Sequence, residues 1–386
     1  MSGAADPDAS KTWPVCHCAL GDFQLQRYPA RRKEMLRAWC GADLLLLEAL
    51  ADHPLPTSAI VVNDEHGALS TALSSRGIAT TLWSDSALSA HAAALNTARN
   101  GAPEVRVVWS TEPPPLAAEL VLIRVPKQMA LLRQQLESLA ANLAPGTRVL
   151  AAAMDKHTPA GLEEQLALWI GPTRRERGRH KAHLWHTQRA EQAAAAPHEP
   201  GTRYTCEALG ATVYSLPNVF SRDGLDIGTR FLLSQLHQLD PVSCAIDLAC
   251  GNGVIGLAAF KAGLAETIGF CDESAQAVAS ARINAQQLLP APDTQAYFHH
   301  GDGLLNWAGP APKLILCNPP FHSQHVVDEF VGRRLIQQAA EALLPGGVLC
   351  LVANRHLDYR NSFKHAFRQW RVLAENAKFR IYIARR

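Results

Sequence analysis

Residues 245–274 read AIDLACGNGVIGLAAFKAGLAETIGFCDES, and this stretch sets the fold. AIDLA is a short apolar run broken by CGNG, VIGLAAFKAG has a helical composition closed by glycine, and TIGFCDES is a second apolar run ending in acids. Strand, glycine turn, helix and strand in so short a span form a βαβ unit, whose two strands lie parallel. Downstream the alternation continues. SAQAVASARINAQQL predicts a helix, KLILCNPPF a strand, FVGRRLIQQAAEALLPGG a helix stopped by Pro-Gly-Gly, and VLCLVAN another strand. KFRIYIARR closes the chain as a last strand, expected near the sheet edge. A mostly parallel sheet covered by helices follows.

The first half repeats this order in a worn form. LAPGTRVLAAAMDKH at 143–157 aligns with LLPGGVLCLVANRH from residue 343, with Ala144, Pro145 and Gly146 matching Leu344, Pro345 and Gly346. AIVVNDEHGALSTAL, from Ala59, stands where AIDLACGNGVIGLAA stands, TTLWSDS parallels TIGFCDES, and ELVLIRVPK parallels PKLILCNPPF. Four matches in one order indicate an internal duplication. The copies differ where chemistry would occur, since NDEHG holds one glycine and RVPK replaces CNPPF. The fold expected is therefore α/β, two tandem Rossmann-like domains with the N-terminal one degenerate. Its boundaries are 1–190 for the degenerate domain, 191–204 for a linker rich in Ala and Pro, and 205–386 for the reactive domain, with a small hairpin in RYTCEALGATVYSLPNVF ahead of the main sheet.

Composition narrows the setting. A chain of 386 residues exceeds one ordinary core, in agreement with two domains. It has no long uncharged apolar run, and MSGAADPDASK carries neither a secretory nor a basic amphipathic leader, so a cytoplasmic protein with no membrane association is expected. The nine cysteines are an odd set, and Cys244, Cys250, Cys271, Cys317 and Cys350 fall on or beside buried strands, as small core residues rather than metal ligands or a disulfide framework. Net charge is +2, which rules out a uniformly basic coat and leaves room for a local patch. Residues 174–189, RRERGRHKAHLWHTQR, are the densest such patch, either a solvated face or a phosphate-contacting surface.

The glycine loop DLACGNGVIG alone fits a nicotinamide site as well as others, because glycines permit the turn and the close approach of a ligand to backbone. Asp272, at the next strand end, can accept two ribose hydroxyl hydrogens, with Glu273 beside it and Ser274 fitted to cap the following helix. Asp247 and the backbone of Ala249, Cys250, Gly251, Asn252 and Gly253 are expected around the other end of the cofactor. Asp302, in HHGDGLL, is placed either to accept from an adenine amine or to make a simple Asp-Gly turn. Asp226, Gly228 and Thr229 in FSRDGLDIGTRFLL either cap a helix or close over a carboxylate.

The discriminating segment is CNPPFH, 317–322. Two prolines end a strand, remove two N–H donors and leave carbonyls on a fixed backbone. Asn318 adds a side-chain acceptor and Phe321 an aromatic face. An exocyclic amine on a base is a poor nucleophile, and two acceptors, Asn318 Oδ1 and the Pro319 carbonyl, can hold its hydrogens while the nitrogen attacks a methyl sulfonium. Asn318, Pro319, Pro320 and Phe321 are thus the candidate catalytic set, with S-adenosylmethionine as methyl donor and no metal needed. His322 and His325 follow directly, and Arg355, His356 and Tyr359 leave the next strand on the same side, so these five form the expected substrate rim.

DLACGNGVIG, FCDES, CNPPFHSQH and ANRHLDY together resemble the bacterial ribosomal RNA guanine-N2 methyltransferases. The resemblance spans nearly the whole chain, since those proteins pair a degenerate methyltransferase-like domain with an active one. It implies S-adenosylmethionine as cofactor, N2-methylguanosine as product, and Asn318 to Phe321 as the amine clamp. NPPFHSQH followed by VANRHLDY is similar to the large-subunit branch, which implies protein-free 23S ribosomal RNA as the partner, with no obligate protein partner. The same clamp also suits 16S ribosomal RNA, adenine N6 in nucleic acid, or a glutamine amide, and a catalytically silent RNA-binding module is the non-enzymatic alternative.

Overall fold

The computed structural model describes residues 13–31, 34–51, 53–191, 200–320 and 325–386, the side chains of 325–328 excepted. The chain divides into two units, 1–197 and 198–386.

In the first unit, β1 (Val15–Cys18) and β2 (Gly21–Gln24) form an antiparallel hairpin. After α1 (Gly41–Glu48) come β3 (Ser58–Val62), α2 (Ala68–Ser74), β4 (Ala79–Ser84), α3 (Ala87–Arg99), β5 (Arg106–Trp109), β6 (Leu120–Arg124), α4 (Met129–Asn142), β7 (Arg148–Met154), α5 (Leu162–Trp169), β8 (Arg174–Arg175) and β9 (Ala182–Gln188). The sheet runs β5-β4-β3-β6-β7-β9-β8, parallel as far as β7 and antiparallel beyond it.

The second unit opens with the expected hairpin, β10 (Thr202–Cys206) and β11 (Ala211–Ser215). Residues 202–204, read from sequence as the end of a linker, already belong to that first strand. There follow α6 (Ile227–Leu233), β12 (Val242–Leu248), α7 (Val254–Lys261), β13 (Ala265–Asp272), α8 (Ala275–Leu288), α9 (Pro292–Gln295), β14 (Ala296–His300), β15 (Leu314–Cys317), α10 (His325–Ala342), β16 (Val348–Asn354), α11 (Arg360–Ala366), β17 (Gln369–Glu375) and β18 (Phe379–Arg385). Sheet order is β14-β13-β12-β15-β16-β18-β17, the order of the first unit strand for strand. The chain's last strand, expected near the edge, lies one place in, because β17 turns back outside it.

Register repeats as well as order. Val62 pairs with Ile123 between β3 and β6, as Leu248 pairs with Cys317 between β12 and β15. Gly67 and Gly253 each begin a helix with left-handed backbone, φ +76° and +81°. One asparagine ties each glycine loop to the preceding segment. Asn96 Nδ2 donates to the His66 and Gln26 carbonyls while its Oδ1 accepts from Gln26 N–H. Asn284 Nδ2 donates to the Asn252 and Tyr214 carbonyls, and its Oδ1 accepts from Tyr214 N–H. A shared topology alone does not demand the same side chain making the same bonds, and an internal duplication accounts for it.

The central strands of the second unit are buried on both faces, as parallel strands between helices must be. Leu257 and Ala281 pack with Ile268 and Phe270 on one side, and Ile336 and Leu343 pack with Ile315 and Leu351 on the other. Cys244, Cys250, Cys271, Cys317 and Cys350 are all buried in these layers, where burial raises their thiol pKa values and keeps them protonated. Among the described residues, no helix is long and apolar enough to cross a membrane.

Candidate active site

The strand order reverses between β12 and β15, and in open α/β sheets the crevice beyond the carboxyl ends at such a reversal is where ligands bind. Asp247, Asp272 and Asn318 all stand at those ends.

Asp247 is fully buried. Its Oδ2 accepts from Gly256 N–H at 2.8 Å, pinning the first turn of α7 under the strand, while Oδ1 has no hydrogen-bond partner among the described residues. Burial pushes its carboxyl up to about 8, the Gly256 bond opposes that rise, and nearby Asp272 adds to it. Beyond it the backbone is left-handed at Ala249, Gly251 and Gly253. A Cβ on Gly253 would lie 3.0 Å from both Ala281 Cβ and Phe270, so this glycine lets α7 pack closely against sheet and helix. Asn252 and Cys250 are each 4% exposed, and the Asn252 amide is spent on Ser215 Oγ (3.0 Å) and Tyr204 Oη (3.2 Å). Only the backbone of these two is left to line a ligand site.

Asp272 is partly exposed, with Oδ2 accepting from Gly251 N–H (2.9 Å) and Oδ1 from Ser274 N–H (3.0 Å). A carboxylate oxygen can accept more than one hydrogen bond, so binding a diol need not break the loop's anchor. Ser274 caps α8 through Ala277 N–H, which frees Asp272 from that duty. Glu273 is partly exposed next to it, and its carbonyl accepts from His300. Asp302 is ion-paired with Arg334 of α10. Sequence reasoning missed Arg334, because nothing local links a helix residue to a turn 32 positions upstream.

Asp226 caps α6, its Oδ2 accepting from Thr229 N–H at 2.9 Å. Gly228 is buried where a Cβ would lie 3.0 Å from Asp226 Oδ2 and 3.1 Å from Phe379, so the glycine lets the start of α6 pack closely on β18. Asn318 Nδ2 donates to Thr229 Oγ1 (2.8 Å) and Asp226 Oδ2 (3.2 Å), and its Oδ1 is buried without a partner among the described residues. Burying an amide oxygen unsatisfied costs about 1–3 kcal/mol, which marks the place where a donor belongs. Pro319 is buried and Pro320 exposed. Phe321 and His322 lie outside the described residues, as does the side chain of His325.

Of the remaining rim candidates, Arg355 and His356 are exposed, with Arg355 N–H bonded to the Lys378 carbonyl at 2.9 Å. Tyr359 is not a rim residue. It is fully buried among Leu357, Phe363 and Tyr382, and its hydroxyl fills the space a Cβ would need at Gly332. Leu357 and Tyr359, just ahead of α11, and Phe363 within it are the buried apolar positions of this segment, a pattern that could have warned against a rim role.

The first unit's corresponding positions are altered. Ser84 occupies the place of Asp272 and Glu65 that of Gly251. Arg124 follows Ile123 as Asn318 follows Cys317, and Asp43, third residue of α1, stands where Thr229 stands in α6. Arg124 and Asp43 form a largely buried ion pair. Asp64 has taken over the work of Asp247: its Oδ2 accepts from Ser70 N–H at 2.7 Å, the amide that corresponds to Gly256.

Comparison with known proteins agrees with this division. Residues 14–191 match the family model described as the RLMG N-terminal domain, and 210–383 match the methyltransferase small domain. The protein from Alcanivorax borkumensis called ribosomal RNA large subunit methyltransferase G is 40% identical over 95% of this chain and 95% of its own. That of the same name from Pseudomonas fluorescens Pf-5 is 41% identical over 95% and 98%. Among solved structures, the T. thermophilus 16S rRNA N2 G1207 methyltransferase, in complex with AdoMet and guanosine, has TM-score 0.77 at 22% identity, covering 98% of this chain and 99% of that one. At that identity the likeness is one of fold.

Proposed function

The chain belongs to the family of ribosomal RNA large subunit methyltransferase G, and from that premise we propose that it transfers a methyl group from S-adenosylmethionine to the exocyclic N2 amine of a guanine in 23S ribosomal RNA. The observation that carries this reading is Asn318, whose two N–H groups are both engaged and whose buried Oδ1 has no partner among the described residues. A planar amine presents two such hydrogens, and the Pro319 carbonyl is the second acceptor the motif supplies.

The residues at the strand ends suit the cofactor. Asp272 can take the ribose hydroxyls, the left-handed loop 249–253 brings backbone close to a ligand, and Asp247 Oδ1 is an acceptor in want of a donor. When bound, S-adenosylmethionine supplies an electrophilic methyl group on a sulfonium. The chain's own task is to bind the base, hold its amine by two acceptors and favour the tetrahedral nitrogen over the delocalised one. No base has to remove a proton beforehand, because a methylated ammonium is acidic enough to lose it afterwards. Asp302, braced by Arg334, fits an acceptor for adenine, and Arg355 and His356 fit the rim against RNA.

Recruitment falls to the first unit in this reading, with protein-free RNA as the form bound. Its β8–β9 hairpin carries exposed Arg174, Arg175, Arg177, Arg179 and Lys181, and an open cavity of about 720 Å³ lies along residues 174–179. Backbone at His180 and Lys181, the hairpin tip, is left-handed without glycine, φ +53° and +57°. Two left-handed residues are what a tight two-residue hairpin turn requires, so the turn, closed by the Arg179–Ala182 bridge, places Arg179 and Lys181 at the tip.

Radiolabelled S-adenosylmethionine with deproteinised 23S or 16S RNA tests the assignment: label should enter 23S RNA as N2-methylguanosine. Exclusive labelling of 16S RNA, or label recovered on adenine, overturns it. Asn318→Ala should lower turnover by about 10²–10³-fold with cofactor binding retained.

A further inference from the structure

We propose that Thr229, together with the cap Asp226, is a positioning residue for methyl transfer, acting through Asn318 rather than on the cofactor. The inference rests on the amine-clamp reading above and deepens it.

An asparagine amide can present either end to a substrate, and only the oxygen end is useful to an amine. Here both hydrogens of Asn318 Nδ2 have acceptors, Thr229 Oγ1 at 2.8 Å and Asp226 Oδ2 at 3.2 Å. A flipped amide would turn its oxygen against the Asp226 carboxylate and its NH2 toward the substrate, a repulsive contact on one side and the wrong end on the other. Asp226 is itself immobilised by Thr229 N–H at 2.9 Å, so the N-terminus of α6 and the end of β15 form one closed network of three side chains. The buried acceptor this network leaves open among the described residues is Asn318 Oδ1. Thr229 is 5% exposed and already bound to Asn318, which leaves its hydroxyl little surface to offer a ligand directly.

The first unit supplies an independent observation. At the same two places it carries Asp43 and Arg124, bonded to each other. Where the second unit has asparagine and threonine, the first has arginine and its counter-ion. The two positions are bonded to each other in both units, as expected if the job of the α6 residue is to hold the residue at the strand end.

Thr229→Val preserves shape and deletes the acceptor. Its kcat should fall about tenfold with the affinity for S-adenosylmethionine close to wild type, and the melting temperature should drop only by the few degrees that one lost buried hydrogen bond costs. Thr229→Ser should restore turnover, since only the hydroxyl is required. In an Asn318→Ala background, single-turnover rates should be the same with Thr229 or Val, because the residue through which Thr229 acts is gone. Wild-type kcat in Thr229→Val, a loss of the same size in the Asn318→Ala background, or weakened cofactor binding at unchanged kcat would each overturn the proposal. Absence of guanine methylation by the wild-type protein would instead overturn the function proposed for it, so the two failures are distinguishable.

Discussion

Asp247 is the residue whose environment and chemistry are most at odds. A carboxyl that ordinarily titrates near 3.8 is pushed up to about 8 by burial, with one oxygen bonded to Gly256 and the other unpartnered among the described residues. Because its folded value is raised, its contribution to stability is full below about pH 4 and is lost as pH rises toward 8, where the folded protein must carry a buried charge. Asp247→Asn keeps an oxygen for Gly256 N–H and removes that charge. The cofactor-free variant should therefore melt higher than wild type at pH 8.5, with the difference shrinking toward pH 5, while its affinity for S-adenosylmethionine falls. Melting curves that stay parallel across this range would show that burial of the charge is not what the wild type endures at high pH. A site that destabilises its own apo form in this way gains stability when a donor arrives.

Elements were legible in the sequence where local chemistry dictates them. The βαβ units, the Pro-Gly stops before β7 and β16, and the β10–β11 hairpin were all readable from periodicity and turn residues. So were Asp272, Asn318 and the core cysteines, each tied to a strand end or a buried run. What escaped were pairings set by tertiary contact: Arg334 on Asp302, Thr229 on Asn318, and Tyr359 turned into the core. The charge of the β8–β9 hairpin was visible, but not how it is shared. Glu48 pairs Arg179 and His180, Glu176 pairs Arg174 and His186, and Asp155 pairs His183. Among the described residues Arg175, Arg177 and Lys181 enter no such pair, and since Arg175 bonds His183 and lies over Trp185, Arg177 and Lys181 are the cations a phosphate would meet first. Replacing both by Ala should weaken binding of 23S RNA and make it less salt-dependent, lowering the slope of log affinity against log salt by about one for each phosphate that is no longer neutralised. Cofactor affinity should not move. An unchanged salt slope would remove this hairpin from the RNA interface.

At the scale of the whole molecule, one fold occurs twice and only one copy carries the residues that suit a cofactor. The first unit retained what folding needs: the helix-starting glycine, the asparagine strut and a carboxylate under the first turn of α2, supplied there by Asp64. It did not retain what a cofactor needs. Ser84 offers one hydroxyl where Asp272 offers two anionic oxygens, and Glu65 puts a side chain where Gly251 leaves backbone open. The Arg124–Asp43 pair occupies the clamp, and burial, which works against the arginine's charge, is outweighed by the neighbouring Asp43, so the arginine keeps its charge. Removing either partner would strand a buried charge at a cost of about 3–5 kcal/mol. Titration calorimetry should accordingly find one S-adenosylmethionine per chain. Asp272→Ala should weaken that binding by at least about tenfold, since two hydrogen bonds to an ionised group go with it. A second equivalent bound by the wild type, or saturable binding of unchanged affinity in Asp272→Ala, would place a working cofactor site in the first unit. If the stoichiometry is one, the duplication has left the chain a second copy of the fold whose stability no longer depends on a cofactor, and its surface is free to change for RNA while the catalytic copy is held to its chemistry.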